Sequence, residues 1–502
     1  MVSDNKLNGT VKFKMFSVIL LVLYYFGIGI VDGPKWCVDT ESYVSMDFTR
    51  EPVYPLFLNC LRRLFEILHI TAEPYGLPAY LTLAVLLQSL LWVIAACYLG
   101  FYILDISGVL GAKKARILST VAMLGQVGVA GLNRFVANRG SMYSESIMTE
   151  SLAMPLYVIF TVQLIKSFDL YDRKTVLKLI FTSVLICSIR KQMLIVLVTW
   201  GFASFIIHIF IKKYRSLKKF GITCLAVIIA FLAIELVDCG YNYAARGVFT
   251  THTGNSKGGL CTLLYTARAE DEQLFADVDP DEYPDIEALY SKIYSECQQL
   301  QLLIDYAPGY ELHDESNIFD SDWVSMASHY ADSYDIIGFD VIIPDCDSYV
   351  AEHYPELDRI HAQMKSDEVQ KVLFDKLFGR ALSDITNGTD RGVVYVLTAN
   401  IVKAFVISNA NIPPRFLITV SAIIYAVYLI MFIMLCINKK AQLRDLAMRM
   451  MFIVLAGIAI NCVVTGSMIF PQPRYMCYGM GMFYFCLFMP VIKSWRFRIF
   501  EL

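Results

Sequence analysis

Phe13-Lys-Met-Phe-Ser-Val-Ile-Leu-Leu-Val-Leu-Tyr-Tyr-Phe-Gly-Ile-Gly-Ile30 is followed within a few residues by Trp36-Cys37-Val38-Asp39-Thr40-Glu41-Ser42-Tyr43, then by Arg50-Glu51-Pro52-Val53-Tyr54-Pro55. The first stretch is long and apolar enough to cross a bilayer, which takes about 17–25 such residues. It is longer than a signal-peptide core and no small-residue cleavage site follows, so it reads as a retained signal anchor. The second stretch puts two carboxylates and a tyrosine where that helix meets water, with an arginine, a tyrosine and two prolines close behind.

The rest of the chain repeats the first pattern. Of 502 residues, 56 % are hydrophobic and 18 % charged, with a mean hydropathy of +0.52, too apolar for an ordinary soluble protein of this size. Ten segments qualify as spans: 13–30, 80–104, 115–133, 147–165, 175–189, 192–211, 220–237, 416–437, 446–470 and 475–492. The expected fold is an all-α polytopic membrane protein of about 10 transmembrane helices. Alternate loops are basic: Lys113, Lys114 and Arg116; Lys166, Arg173, Lys174 and Lys178; Lys212, Lys213, Arg215, Lys218 and Lys219; Lys439, Lys440 and Arg444. Cytoplasmic loops are enriched in Lys and Arg. The expected location is therefore the cell membrane, multi-pass, with both termini cytoplasmic.

Residues 240–412 differ in kind. Between 240 and 413 there are about 29 acidic against about 11 basic residues, too long a stretch for a plain connection. Helical periodicity over 286–303 and 368–382, the latter opened by Ser366, Asp367 and Glu368, makes this a large, mostly helical extracytoplasmic domain. Val393–Ile407 reads as lying along the membrane surface. The expected organisation is 1–239, a seven-helix module; 240–412, the acidic domain; and 413–502, a three-helix module. The thirteen cysteines have no Cys-x-x-Cys spacing. Cys37, Cys239, Cys261, Cys297 and Cys346 fall on the outer side, where pairing remains open.

Three sets of residues could carry chemistry. Asp39, with Glu41 and Tyr43 beside it, offers a general base at the water–lipid boundary, on a platform that includes Arg50 and Tyr54; the plain alternative is a pair of loop acids that only solvate the chain. Arg134, Arg139, Arg190, Lys191 and Arg474 face the same outer side. Arginine suits bidentate phosphate contacts, and a phosphate leaving group needs such stabilisation as charge develops; for any single cation the plain alternative is snorkelling to headgroups. Glu150 lies just inside an apolar helix, where an acid is costly unless used; the plain alternative is an interfacial acid held by the dipole of the helix N-terminus. Glu235 and Asp238 make a weaker case of the same kind. No Walker loop, His-Glu-x-x-His or dinucleotide fingerprint is present. His353 and His361 lack ligand spacing, and Asp345-Cys346-Asp347 reads as a polar turn.

In four places the chain resembles the GT-C superfamily of membrane glycosyltransferases, which includes the protein O-mannosyltransferases and the lipid A aminoarabinose transferase. These are Asp39-Thr-Glu-Ser-Tyr43 with Tyr54-Pro55, Met148-Thr-Glu150-Ser-Leu, Ser188-Ile-Arg190-Lys-Gln, and Pro473-Arg474-Tyr475. The resemblance implies transfer of a sugar from a polyprenyl-phosphate donor to an extracytoplasmic glycan, lipid or protein, with inversion. Asp39 would be the base, and Arg190, Lys191 and Arg474 would hold the phosphate. Membrane lipids are expected partners and nucleic acid is not. Some members use a divalent metal and others do not; Asp39 and Glu41 are too few ligands to decide. Competing readings are a polysaccharide polymerase or ligase, a transporter or flippase of lipid-linked glycans, and a non-enzymatic surface-interaction protein.

Overall fold

The computed structural model describes residues 2–136, 139–308, 323–390, 392–410, 417–437 and 446–494. Lys439, Lys440 and Arg444 lie outside them, as does the expected domain border at 412–413. Among the described residues every regular element is a helix. They are α1 (Val2–Asp32), α2 (Thr40–Val44), α3 (Val53–Ile67), α4 (Ala79–Ile106), α5 (Ala112–Phe135), α6 (Glu150–Ser167), α7 (Arg173–Ile189), α8 (Ile195–Phe205) and α9 (Leu217–Arg246). Next come α10 (Lys257–Tyr265), α11 (Ile286–Gln299), α12 (Trp323–Ile336), α13 (Ile343–His353) and α14 (Arg359–Asn387). The last are α15 (Val393–Ala410), α16 (Leu417–Ile437), α17 (Leu446–Met468), α18 (Pro473–Met476) and α19 (Met480–Ser494).

Among the described residues eight helices are long and apolar enough to cross a membrane. The chain is an all-α polytopic membrane protein. Three expected spans are not among the eight: α6, α7 with 17 residues, and α19, with 15 described residues once α18 is split off. α6 explains itself by position. It packs against α4, α7 and α17 and is buried on nearly every face, so protein surrounds it instead of lipid and it tolerates Glu150, Pro155 and Gln163. Pro155 cannot donate to the carbonyl of Ser151; the Trp92 indole N–H does so instead, at 2.9 Å.

Val393–Ala410 is one of the eight, which corrects its reading as a surface helix. α15 packs along α17 so closely that a Cβ on Gly466 would lie 2.9 Å from the backbone of Ile401. It also joins the two cores. Val393, Tyr395, Val396 and Ala399 belong to the core of the middle region, while Ala404 and Ile407 belong to that of the helical bundle. The middle region, α10–α14, thus has its own apolar core and rests on the bundle through α15 and Phe470.

Local signals in the middle region hold with shifted borders. α11 begins at Ile286 as expected. α14 begins at Arg359, not near Ser366, because Asp358 accepts from the backbone N–H groups of Ile360 (2.8 Å) and His361 (3.0 Å) and caps the helix. All thirteen cysteines are free thiols.

Candidate functional site

Asp39 is set in place by loop pairing. The backbone of Lys35 bonds both Glu145 O (3.1 Å) and Ile147 N (3.0 Å), and Thr40 Oγ1 donates to Ile147 O at 2.9 Å. These bonds tie the segment after α1 to the segment that becomes α6, so Asp39 and Glu150 come to the same end of the bundle. α2 and α3 then return Arg50 to Asp39. Tyr54 is fully buried, donates to Gln88 Oε1 at 2.9 Å, and packs edge-on against Tyr43 at 5.0 Å between centroids. It supports the platform from below.

Two breaks between helices deliver the other cations. α7 ends at Ile189, Arg190 is extended, and a short 3₁₀ turn leads to α8. Arg474 lies in α18, the turn between α17 and α19. Each arginine is braced by a glutamine two residues away: Arg190 Nε donates to Gln192 Oε1 and Arg474 Nε to Gln472 Oε1, both at 2.8 Å. Gln192 in turn donates to Thr465 on α17 at 2.9 Å.

The four places meet in one network. Asp39 Oδ1 accepts from Arg50 NH2 at 2.9 Å and Asp39 Oδ2 from Arg474 NH1 at 2.7 Å. Glu150, wholly buried, accepts from Arg190 NH1 at 2.7 Å and lies 3.7 Å from Arg474 Nε. Arg190 NH1 also donates to Thr149 Oγ1 at 3.1 Å. The Tyr475 ring carries Arg190 at 4.3 Å and Arg474 at 4.9 Å, and Tyr43 carries Arg50 at 4.8 Å. Burial pushes the Asp39 carboxyl up, but Arg474 and Arg50 outweigh it and hold Asp39 at about 2. Three guanidinium groups face two carboxylates, leaving one positive charge in surplus. Among the described residues, Arg50 NH1 and Arg190 NH2 make no hydrogen bond. The site therefore has both charge and donors for an anion.

Other expected members lie elsewhere. Glu41 is exposed and joins no ion pair among the described residues. Arg134 pairs with Asp32 and Glu145 in a separate cluster. Arg139 is exposed, with its backbone N–H bonded to Asn133 O. Lys191 turns away from Glu150 and reaches Glu235 at 3.5 Å, while its backbone N–H donates to Glu51 at 2.6 Å. Asp238 is taken up by buried His252 at 2.5 Å. His361 caps against Asp358 (2.6 Å) and Asp345 pairs with Lys292 (2.8 Å). Sequence reasoning missed Gln192 and Gln472, whose spacing from the arginines is visible in the sequence.

Among the described residues no group of three or more His, Cys, Asp or Glu could hold a metal ion. Around Asp39 the donor set does not fit a divalent cation, since both of its oxygens bind guanidinium groups. No protein-family model matches the chain, and no curated protein or solved structure matches it.

Proposed function

We propose that the protein is a membrane glycosyltransferase that takes its sugar from a polyprenyl-phosphate donor and passes it to a hydroxyl on the outer side of the membrane. The observation that carries this reading is the gathering of Arg50, Arg190 and Arg474 around Asp39 and Glu150, with one positive charge in surplus, at the end of a membrane bundle. A lipid-linked phosphate would reach such a site with its chain still in the bilayer. Arginine forks suit its oxygens, and fixed cations in a partly desolvated site stabilise the charge that grows on a departing phosphate. Arg190 and Arg474 would hold the phosphate. Glu150 and the two glutamines would fix the planes of their guanidinium groups, and Tyr475 would keep the pair stacked. In this reading the basic loops face the cytoplasm and the middle region faces outward. The two ion pairs of Asp39 support a share in holding Arg50 and Arg474, beside the base role that its position first suggests.

The test uses membranes carrying the full chain and polyprenyl-phosphate mannose, glucose and galactose as donors. Release of polyprenyl phosphate is expected from at least one, and its loss in Arg190→Ala. Equal release from wild type and Arg190→Ala would reject the reading.

A further inference from the structure

Arg50, Asp39, Arg474, Glu150 and Arg190 form a chain of alternating charge, with contacts of 2.9, 2.7, 3.7 and 2.7 Å from one to the next. Both ends are arginines. Each nitrogen of the central Arg474 already has a partner, in Gln472, Asp39 or Tyr475. Among the described residues each end arginine keeps one nitrogen without a hydrogen bond, Arg50 NH1 and Arg190 NH2. Their side chains are 26 % and 13 % exposed. The free donors thus belong to the two ends of the chain, and one phosphate can use both only if the ends are held together.

Tyr43 closes the chain into a ring. Its aromatic face carries Arg50, with Cζ 4.8 Å from the centroid. Its hydroxyl lies 3.5 Å from Thr149 Oγ1, which accepts from Arg190 NH1 at 3.1 Å. Thr149 gives its single proton to Glu150 Oε2 at 3.2 Å, so Tyr43 is the donor in its contact with Thr149. That contact is the longest hydrogen bond of the ring. Tyr43 is backed by Tyr54, edge-on at 5.0 Å, which is anchored to Gln88 at 2.9 Å. The Gln88 amide donates to Ser144 O (3.2 Å) and Ser146 O (3.3 Å), in the loop that leads to Glu150. Only 2 % of Tyr43 is exposed, and burial pushes its phenol up. It therefore keeps its proton and does not reach a substrate, although its place beside Asp39 in the sequence suggests catalysis.

We propose that Arg50 is a third phosphate ligand beside Arg190 and Arg474, and that Tyr43 is the positioning residue that holds the Arg50 and Arg190 ends of the chain on one anion. The proposal rests on the glycosyl-transfer reading. Arg50 NH1 and Arg190 NH2 each donate to a phosphate oxygen, and the Tyr43–Thr149 link sets the spacing between them.

Binding of polyprenyl phosphate to the purified full chain in detergent tests this, with release from the same three donors as a second readout. Arg50→Ala should weaken binding at least about tenfold, the loss of a charge-assisted contact. Tyr43→Phe keeps the ring under Arg50 and should weaken binding about threefold. Tyr43→Leu removes ring and hydroxyl and should weaken it at least about tenfold. Thr149→Ser should recover binding lost in Thr149→Val. A merely structural tyrosine would not change how the two arginines couple. With Tyr43 present, the double variant Arg50→Ala, Arg190→Ala should lose at least about threefold less than the product of the single losses; in Tyr43→Leu the losses should multiply. If Tyr43→Leu does not fold, the same comparison is made in Tyr43→Phe. Wild-type affinity in Arg50→Ala, or unchanged coupling without Tyr43, would overturn the proposal. So would unchanged affinity in Tyr43→Phe with kcat lowered about a hundredfold, which would make Tyr43 catalytic. Binding lost in Arg190→Ala but kept in Arg50→Ala and Tyr43→Leu would leave the transfer reading standing and reject this one. Neither binding nor release by wild type would reject both.

Discussion

Two clusters in this protein are built from the same parts and do opposite things with charge. In one, Arg134 serves Asp32 and Glu145, one cation for two acids. In the other, Arg50, Arg190 and Arg474 serve Asp39 and Glu150, three cations for two acids. The first cluster is short of positive charge, and its buried Glu145 shows it. Burial pushes that carboxyl up to about 7 against the pull of Arg134, and Glu145 Oε1 has no hydrogen-bond partner. The second cluster is long on positive charge, and Asp39 is held at about 2. An arginine near an acid is thus no guide by itself. The sum of charge in the closed network separates the two, and only the second has positive charge to spare for an anion.

The comparison breaks first at the arginines. Arg474→Ala or Arg190→Ala should cost about 10²–10³-fold in sugar transfer, the loss typical of one removed donor to a developing anion. Arg134→Ala should cost less than about tenfold, and should show instead as a lower melting temperature. Asp39→Asn should come next, at about 10–10²-fold. It leaves the fold intact but lets Arg50 and Arg474 drift, so donor KM should rise along with the fall in rate.

A pH series sharpens the other side. Glu145 has a folded-state value raised from 4.5 to about 7. Its contribution to stability is full below pH 4.5 and fades as pH rises through 7. Wild type should therefore lose at most about 3 kcal/mol from this group between pH 5 and 8. Glu145→Gln should flatten that dependence in thermal melts in detergent. Asp39 runs the other way: its contribution is present above the usual carboxylate range and is lost only as pH falls toward 2. The smallest effect belongs to Glu41→Gln, which should leave transfer within about twofold, since Glu41 is exposed and apart from the network.

Much of this was legible in the sequence. Apolar length and hydropathy carry the membrane class; Asp39, Glu150, Arg190 and Arg474 could be singled out because each is a charge at the end of an apolar helix, and Arg50 because it follows Asp39 closely. Their meeting was not legible, because it depends on the loop bond of Lys35 to Ile147 and on breaks in α7–α8 and α17–α19. α6 was read as a plain span, though it is a helix shielded by its neighbours. α15 was misread because one apolar face looks the same against lipid as against α17.

The most direct measurement is binding of polyprenyl phosphate to the purified protein in detergent, comparing wild type, Arg190→Ala and Arg134→Ala. Saturable binding is expected in wild type and Arg134→Ala, weakened at least about tenfold in Arg190→Ala, in line with the loss of a charge-assisted contact. Equal affinity in all three, or a loss confined to Arg134→Ala, would contradict the assignment of the three-arginine cluster as the phosphate site.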